Sequence, residues 1–228
     1  MISIVAGETF HGEDILDVTK GLLQSGVSYV GGYQGAPVSH LMDVLADARE
    51  ILDELGVHLE TCANEAGAAA MLGASVNYPL RGAVTWKSTV GTNVASDALS
   101  NLSSAGVKGG TLIIIGEDYG EGSSIIQERS HAFATKSQIW LLDPRPNLPK
   151  IVDMVEKGFQ LSEASNSPVM LELRIRACHV HGSFVAKDNV EPQFSRRQFI
   201  EDPECDYSRI FLPPSTSAQA NQKHEQRM

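Results

Sequence analysis

The sequence is short of what several protein classes need. Among 228 residues there are only three cysteines, Cys62, Cys178 and Cys205. They are odd in number, far apart and never arranged as Cys-x-x-Cys. This excludes a disulfide framework, a zinc knuckle and a self-contained iron–sulfur site, and it favours a reducing compartment, the cytoplasm. No apolar run approaches the roughly 20 residues that a membrane span needs. Residues 1–8 lack the basic flank and long apolar stretch of a signal peptide. Basic residues are scarce: 18 Lys+Arg against 28 Asp+Glu give a formal charge of −10, with no basic cluster. Nucleic acids and anionic membrane surfaces are therefore poor partners.

What is there reads as an ordinary globular chain, 42% hydrophobic and 20% charged, long enough for one α/β domain and an extended tail. Short apolar runs alternate with longer helical patterns. Residues 27–31 are β-branched and apolar and end in Gly31-Gly32, a buried strand and tight turn. Leu41, Val44, Leu45, Ala48, Ile51, Leu52 and Leu55 recur at helical spacing, and Gly56 closes that helix. A second strand is expected over 57–63, an Ala-rich helix over 64–76, a third strand over 82–86 and a helix over 93–103. Residues 111–115, with three consecutive isoleucines, form the clearest buried strand. Further strands are expected over 138–142 and 168–173, with an amphipathic helix around Ile151, Met154, Val155, Phe159 and Leu161 between them.

Such alternation implies a parallel, doubly wound sheet with helices on both faces. Ligands of these sheets sit beyond the carboxyl ends of the strands. Four loops are expected there: 31–37, 63–65, 87–92 and 116–124. After Leu173 the pattern decays, and the tail carries Pro192, Pro203, Pro213 and Pro214. The expected organisation is a domain over 1–184 and an extended arm or interdomain linker over 185–228, frayed from about residue 215.

Glu65 follows a strand and opens a run of small residues, Asn64-Glu65-Ala66-Gly67-Ala68-Ala69-Ala70. A glutamate in a first helical turn is favoured by the helix dipole alone. The small residues behind it also let a flat ligand approach the backbone, and they leave the carboxylate in apolar surroundings suited to proton exchange. Lys87 in the third loop is either a solvated lysine or a partner for a substrate carboxylate. Thr92 and Asn93 read as caps of the next helix. Asp118 and Glu121 belong to an acidic loop that is either solvated or in contact with a partner domain. Glu128 and Arg129 read as a surface pair. Cys178-His179-Val180-His181 offers soft ligands at strand spacing but no third ligand nearby, so no metal site is expected.

Gly32-Tyr33-Gln34-Gly35-Ala36-Pro37, Ala63-Asn64-Glu65 and Gly106-Val107-Lys108-Gly109-Gly110 together resemble 2-oxoacid:ferredoxin oxidoreductases, in particular the indolepyruvate ferredoxin oxidoreductases. Val84-Thr85-Trp86-Lys87 with Gly91-Thr92-Asn93-Val94-Ala95 matches a second family segment. Gly116-Glu117-Asp118, Ser123-Ser124 and Gln127-Glu128-Arg129 match a third. The resemblance runs from about Gly21 to His181. It implies the thiamine-diphosphate-binding fold and, within it, the pyrimidine-binding domain.

By that resemblance Glu65 is the catalytic glutamate that hydrogen-bonds the cofactor's aminopyrimidine, and Gly35, Ala36, Pro37 and Asn93 contribute to cofactor binding. Gln34, Ser39, His40 and Lys87 are candidates on the substrate side; relatives often carry a hydroxyl residue where Ala36 stands. The implied reaction is oxidative decarboxylation of a 2-oxo acid, with ferredoxin as electron acceptor and coenzyme A as acyl acceptor. The family's diphosphate and Mg²⁺ motif, Gly-Asp-Gly followed by Asn, is absent, and so are its four-cysteine cluster motifs. The chain is thus expected to carry half of a site. Another domain, of the same or another subunit, would hold diphosphate and Mg²⁺, iron–sulfur clusters would lie outside this chain, and a homodimer is expected. Leu212-Pro213-Pro214 resembles the start of the family's interdomain connection, so the polypeptide is expected to continue. Other expectations are a non-redox thiamine-dependent decarboxylase or carboligase part, and a non-catalytic assembly module of the same fold.

Overall fold

The computed structural model describes residues 5–118, 120, 124, 126–195, 206–210 and 212–226. The chain opens with strand β1 (Thr9–Glu13) and helix α1 (Asp14–Gln24), then β2 (Tyr29–Gly32), α2 (Ser39–Asp47), α3 (Arg49–Leu55) and β3 (His58–Thr61). It continues through α4 (Glu65–Met71), α5 (Ala74–Asn77), β4 (Gly82–Lys87), α6 (Val90–Val94), α7 (Ser96–Ala105) and β5 (Thr111–Glu117). Next come α8 (Ser130–Ser137), β6 (Trp140–Leu142), α9 (Leu148–Ser165), β7 (Val169–Arg174), α10 (Ile175–Cys178) and β8 (His181–Val185). A 3-10 turn (Tyr207–Arg209) and α11 (Ser215–Gln226) follow.

Six strands form one parallel sheet in the order β3-β2-β4-β5-β7-β6. The expected α/β architecture is the one observed. β5 shows why both faces are covered: every residue from Thr111 to Glu117 is buried. Leu112 and Ile114 point into a core built with Val18 and Leu22 of α1, Leu41 and Leu45 of α2 and Val155 and Phe159 of α9. Ile113 and Ile115 point the other way, against Ala68, Leu72, Trp86, Leu99 and Leu102. Alternation along a strand sends each neighbour to the opposite layer, so an unbroken isoleucine run requires two apolar layers. Complete burial of each such side chain contributes about 1.5–3 kcal/mol.

β1 and β8 form a separate antiparallel pair, where Phe10 and Phe184 meet with ring centroids 5.3 Å apart. Among the described residues, two α-helix starts follow side-chain caps. The Asn64 carboxamide oxygen accepts from Gly67 N at 2.8 Å, and Asn147 accepts from Lys150 N at 3.1 Å.

Three local expectations give way. The helix expected across 41–55 is two, α2 and α3, that break at Ala48 and end at Gly56 in the left-handed region. The helix expected over 64–76 likewise divides into α4 and α5 around Gly73. The tail is not extended throughout: α11 packs against α7, and Lys223 Nζ donates to Ser103 Oγ and Ser137 O at 2.8 and 3.1 Å. Weak periodicity hid that helix because few apolar contacts hold it; hydrogen bonds to neighbouring chain do.

Candidate active site

The sheet order fixes where a ligand can sit. β3 lies on one side of β2, while β4 and β5 lie on the other. Chain leaving β2 and chain leaving β4 therefore diverge, which opens a crevice at the carboxyl ends of these two strands. The loops after β2 and β4 meet there. A Cβ placed on Gly35 would lie 2.6 Å from Lys87 Cβ, so glycine is needed for the two loops to touch. The 33–37 loop also packs against the end of β5: a Cβ on Gly116 would lie 2.8 Å from Pro37 Cδ. Ala36 is exposed, and Pro37 is buried.

Glu65 is the first residue of α4, held there by the Asn64 cap, and only 6% exposed. Its carboxylate makes no hydrogen bond or ion pair among the described residues. It faces α6: a Cβ on Gly91 would come within 3.0 Å of Glu65 Oε1 and within 2.6 Å of Trp86 Cδ1. Gly91 thus keeps open the space in front of the carboxylate. Trp86 beneath is fully buried and donates its indole N–H to Thr92 Oγ1 at 3.2 Å. The residue that turns the chain from β4 into α6 is Thr89, at φ 47 and ψ −81. A β-branched residue there costs about 1–3 kcal/mol.

The other candidates distribute as follows. Lys87 is not a solvated lysine: its Nζ lies 2.6 Å from Asp118 Oδ2, with side chains 18% and 4% exposed. Asn93 is exposed on α6 and donates to Glu128 Oε2 at 3.2 Å. Thr92 accepts from Trp86, and no side chain caps α6, so the capping role expected for Thr92 and Asn93 is corrected. The Glu128 carboxylate accordingly meets Asn93 rather than serving only a surface pair with Arg129. Gln34 is exposed and donates to Asp43 Oδ1 at 2.9 Å; Ser39 begins α2, and His40 lies 3.8 Å from Asp43 Oδ2. Glu121 and Cys205 lie outside the described residues. Cys178 closes α10 and is buried in the core, so the Cys178–His181 stretch is not one extended strand, and His179 lies against Glu13 at 3.5 Å.

Sequence reading missed two buried acids, Glu117 and Glu172, at the ends of β5 and β7. The signal was present: Glu172 stands inside Val-Met-Leu-Glu-Leu, a charge in a run buried on both faces. Burial first, then the facing Glu117, holds the Glu172 carboxyl well above the ordinary carboxylate range. A cavity of about 610 Å³ lies beside this pair, bordered by Glu117, Asp143, Arg145, Arg174 and Arg176. Another of about 420 Å³, lined by Thr89, Thr92, Asn93 and Arg129, separates α6 from α8.

No helix among the described residues is long and apolar enough to cross a membrane. No family model matches the chain. It is 30% identical over 169 residues to the indolepyruvate oxidoreductase subunit IorA of Thermococcus kodakarensis, across 74% of this chain and 25% of that protein. The IorA subunit of Pyrococcus abyssi is 29% identical over 168 residues, with the same shares covered. That of Archaeoglobus fulgidus is 28% identical over 198 residues, 86% of this chain and 31% of the relative. The chain therefore spans about a quarter to a third of the length of these relatives. Among solved structures, a 2-oxoglutarate:ferredoxin oxidoreductase from Magnetococcus marinus, with 2-oxoglutarate, coenzyme A and succinyl-CoA bound, superposes with a TM-score of 0.71. It is 13% identical, and the match covers 96% of this chain and 44% of that one. The chain is thus a sequence relative of the indolepyruvate oxidoreductase IorA subunits, built on a fold it shares with part of a 2-oxo acid:ferredoxin oxidoreductase.

Proposed function

We propose that this chain is the pyrimidine-binding part of a thiamine-diphosphate-dependent 2-oxo acid oxidoreductase of the indolepyruvate kind. The observation that carries the reading is Glu65: a buried carboxylate with no described protein partner, at a strand's carboxyl end, facing a glycine that leaves its approach open. Such an acid is suited to a ring nitrogen that carries or shares a proton. These residues fit the group, with Glu65 against the pyrimidine, Gly91 clearing its approach, and residues 35–37 forming the border on the β2 side. Thiamine diphosphate, when bound, supplies the reactive carbon and electron sink that decarboxylation of a 2-oxo acid needs.

The chain's own residues position and shield. The Asn64 cap fixes the first turn of α4 and so fixes Glu65. Trp86, locked by Thr92, forms a floor that keeps water from the back of the carboxylate. Lys87 and Asp118 tie the ends of β4 and β5 together beside Gly35. Among the candidates for the substrate side, Ser39 and Gln34 flank this loop, and Lys87 would reach a substrate carboxylate only by loosening its hold on Asp118.

A second domain, of the same or another subunit, completes the site with the diphosphate and Mg²⁺ ligands, and a homodimer brings the halves together. Tyr33, on the loop after β2, and Val90 and Val94, at the two ends of α6, are exposed apolar side chains beside the crevice, 41%, 41% and 47% accessible, as a surface awaiting a partner would have. Electrons pass to ferredoxin through iron–sulfur clusters outside this chain, and coenzyme A takes the acyl group, as the ligands of the structural neighbour suggest. In the complete enzyme, Glu65→Gln should lower 2-oxo acid-dependent reduction of ferredoxin by orders of magnitude. Turnover close to the parent's would sink the assignment.

A further inference from the structure

Glu117 ends β5, and Glu172 lies on the adjacent strand, β7. The register pairs Ile115 with Glu172, so both glutamates project from the same face of the sheet, two residues apart along it. The first turn of α8 crosses that face and brings His131 over them. One ligand atom from each of Glu117, His131 and Glu172 lies within 4.8 Å of the others.

The glutamates are 2% and 0% exposed. Glu117 Oε1 accepts from Ser130 N at 2.9 Å, but Glu117 Oε2 and both oxygens of Glu172 have no hydrogen-bond donor. His131 Nδ1 is 3.5 Å from Glu172 Oε2, and its Nε2 is 3.8 Å from Asp143 Oδ2. Arg174 is held by Asp143 through Nε at 3.2 Å and Nη2 at 2.5 Å, and its Nε lies 3.5 Å from Glu172 Oε1, too far for a hydrogen bond of ordinary length. Two buried carboxylates that face each other without a donor between them are costly unless something positive sits there.

We propose that Glu117, Glu172 and His131 Nδ1 form a binding site for one divalent cation, of the class that accepts imidazole together with carboxylate, Zn²⁺ or Mn²⁺. A doubly charged ion balances the two carboxylates and occupies their donorless oxygens. The imidazole selects against Mg²⁺ and Ca²⁺, which prefer all-oxygen shells. Asp143 beside the other ring nitrogen supplies the carboxylate–histidine pairing that orients a metal-bound imidazole. The remaining coordination positions open toward the cavity that Glu117, Asp143 and Arg174 border, and so fall to water or a ligand there. Such an ion ties β5, β7 and α8 together at the sheet's carboxyl edge. None of this depends on the role of Glu65.

The test is calorimetric titration of the chelator-stripped 228-residue chain with Zn²⁺, Mn²⁺ and Mg²⁺ in turn. One equivalent of Zn²⁺ or Mn²⁺ should bind with micromolar or tighter affinity, and Mg²⁺ much more weakly. Glu172→Gln should weaken binding about tenfold or more. Since Glu172 is buried, His131→Ala, at a side chain 45% exposed, is the companion variant and should do the same while circular dichroism stays unchanged. His58→Ala, on edge strand β3 on the other side of the sheet and paired with Glu60, should leave affinity as it was. Absence of saturable binding would mean that the glutamates share a proton instead. Binding that survives His131→Ala would place the ion elsewhere. Either result overturns the site.

Discussion

Asp17 offers a quantitative test of the packing around α1. It is fully buried, and neither carboxylate oxygen has a hydrogen-bond partner among the described residues. Burial lifts its carboxyl from 3.8 to about 7. The sign follows from linkage. Below the unfolded value of 3.8 both states hold the proton and the group is neutral in its effect. Between 3.8 and about 7 the unfolded chain gives up its proton first, so stability falls as pH rises. Above about 7 the loss is complete. At about 1.36 kcal/mol per pKa unit, the full penalty is roughly 4 kcal/mol, of which about 2–3 kcal/mol develops between about pH 5 and pH 8. Asp17→Asn keeps the volume and removes the charge. Urea denaturation followed by far-ultraviolet circular dichroism should show wild type losing about 2–3 kcal/mol relative to the variant across that pH range. Parallel profiles would mean that Asp17 is ionised inside the fold, with a partner or water that offsets its burial, and would refute the reasoning.

Lys87→Met should cost about 1.5–3 kcal/mol, because it removes the ammonium that lies 2.6 Å from Asp118, 4% exposed; adding Asp118→Asn should recover much of the loss, and strict additivity in denaturation would show that the pair is not coupled. Gly91→Ala places a methyl 2.6 Å from Trp86 Cδ1 and 3.0 Å from Glu65 Oε1. Overpacking of about 1–3 kcal/mol should outweigh or cancel the roughly 1 kcal/mol that alanine brings to a helix. Tryptophan emission should shift, and the complete enzyme's affinity for thiamine diphosphate should fall about tenfold; unchanged affinity would mean that the space before Glu65 is not where the cofactor binds.

Much of this was legible because it depends on local pattern. Three isoleucines in a row mark 111–115 as a buried strand, and the alternation of such runs with helical patterns gives a sheet covered on both sides. Glu65 could be no more than a first-turn glutamate on the helix dipole; the small residues around it and the family resemblance of its loop single it out. The errors share a cause. The helix pattern over 41–55 is continuous on paper, but its apolar residues serve two helices that meet at Ala48. The sequence leaves Lys87 between a solvated lysine and a partner for a substrate carboxylate because nothing near it in sequence reveals Asp118, which reaches it from the end of the next strand. Thr92 read as a cap because hydroxyl residues usually cap; here Trp86, buried by the fold, takes that oxygen as its acceptor.

The sequence by itself determined the layer architecture, the six strands of the parallel sheet and the position of Glu65 at a carboxyl-end loop, since hydrophobic period and turn chemistry act over a few residues, but not the β1–β8 pair, which lies outside that pattern. Only the tertiary structure decided which groups meet: Gly91 before Glu65, Asp118 on Lys87, and His131 over Glu117 and Glu172. These pairings join strands and helices that are neighbours in the sheet but distant along the chain. Register and crossover connections set them, and neither is written in any local stretch of residues.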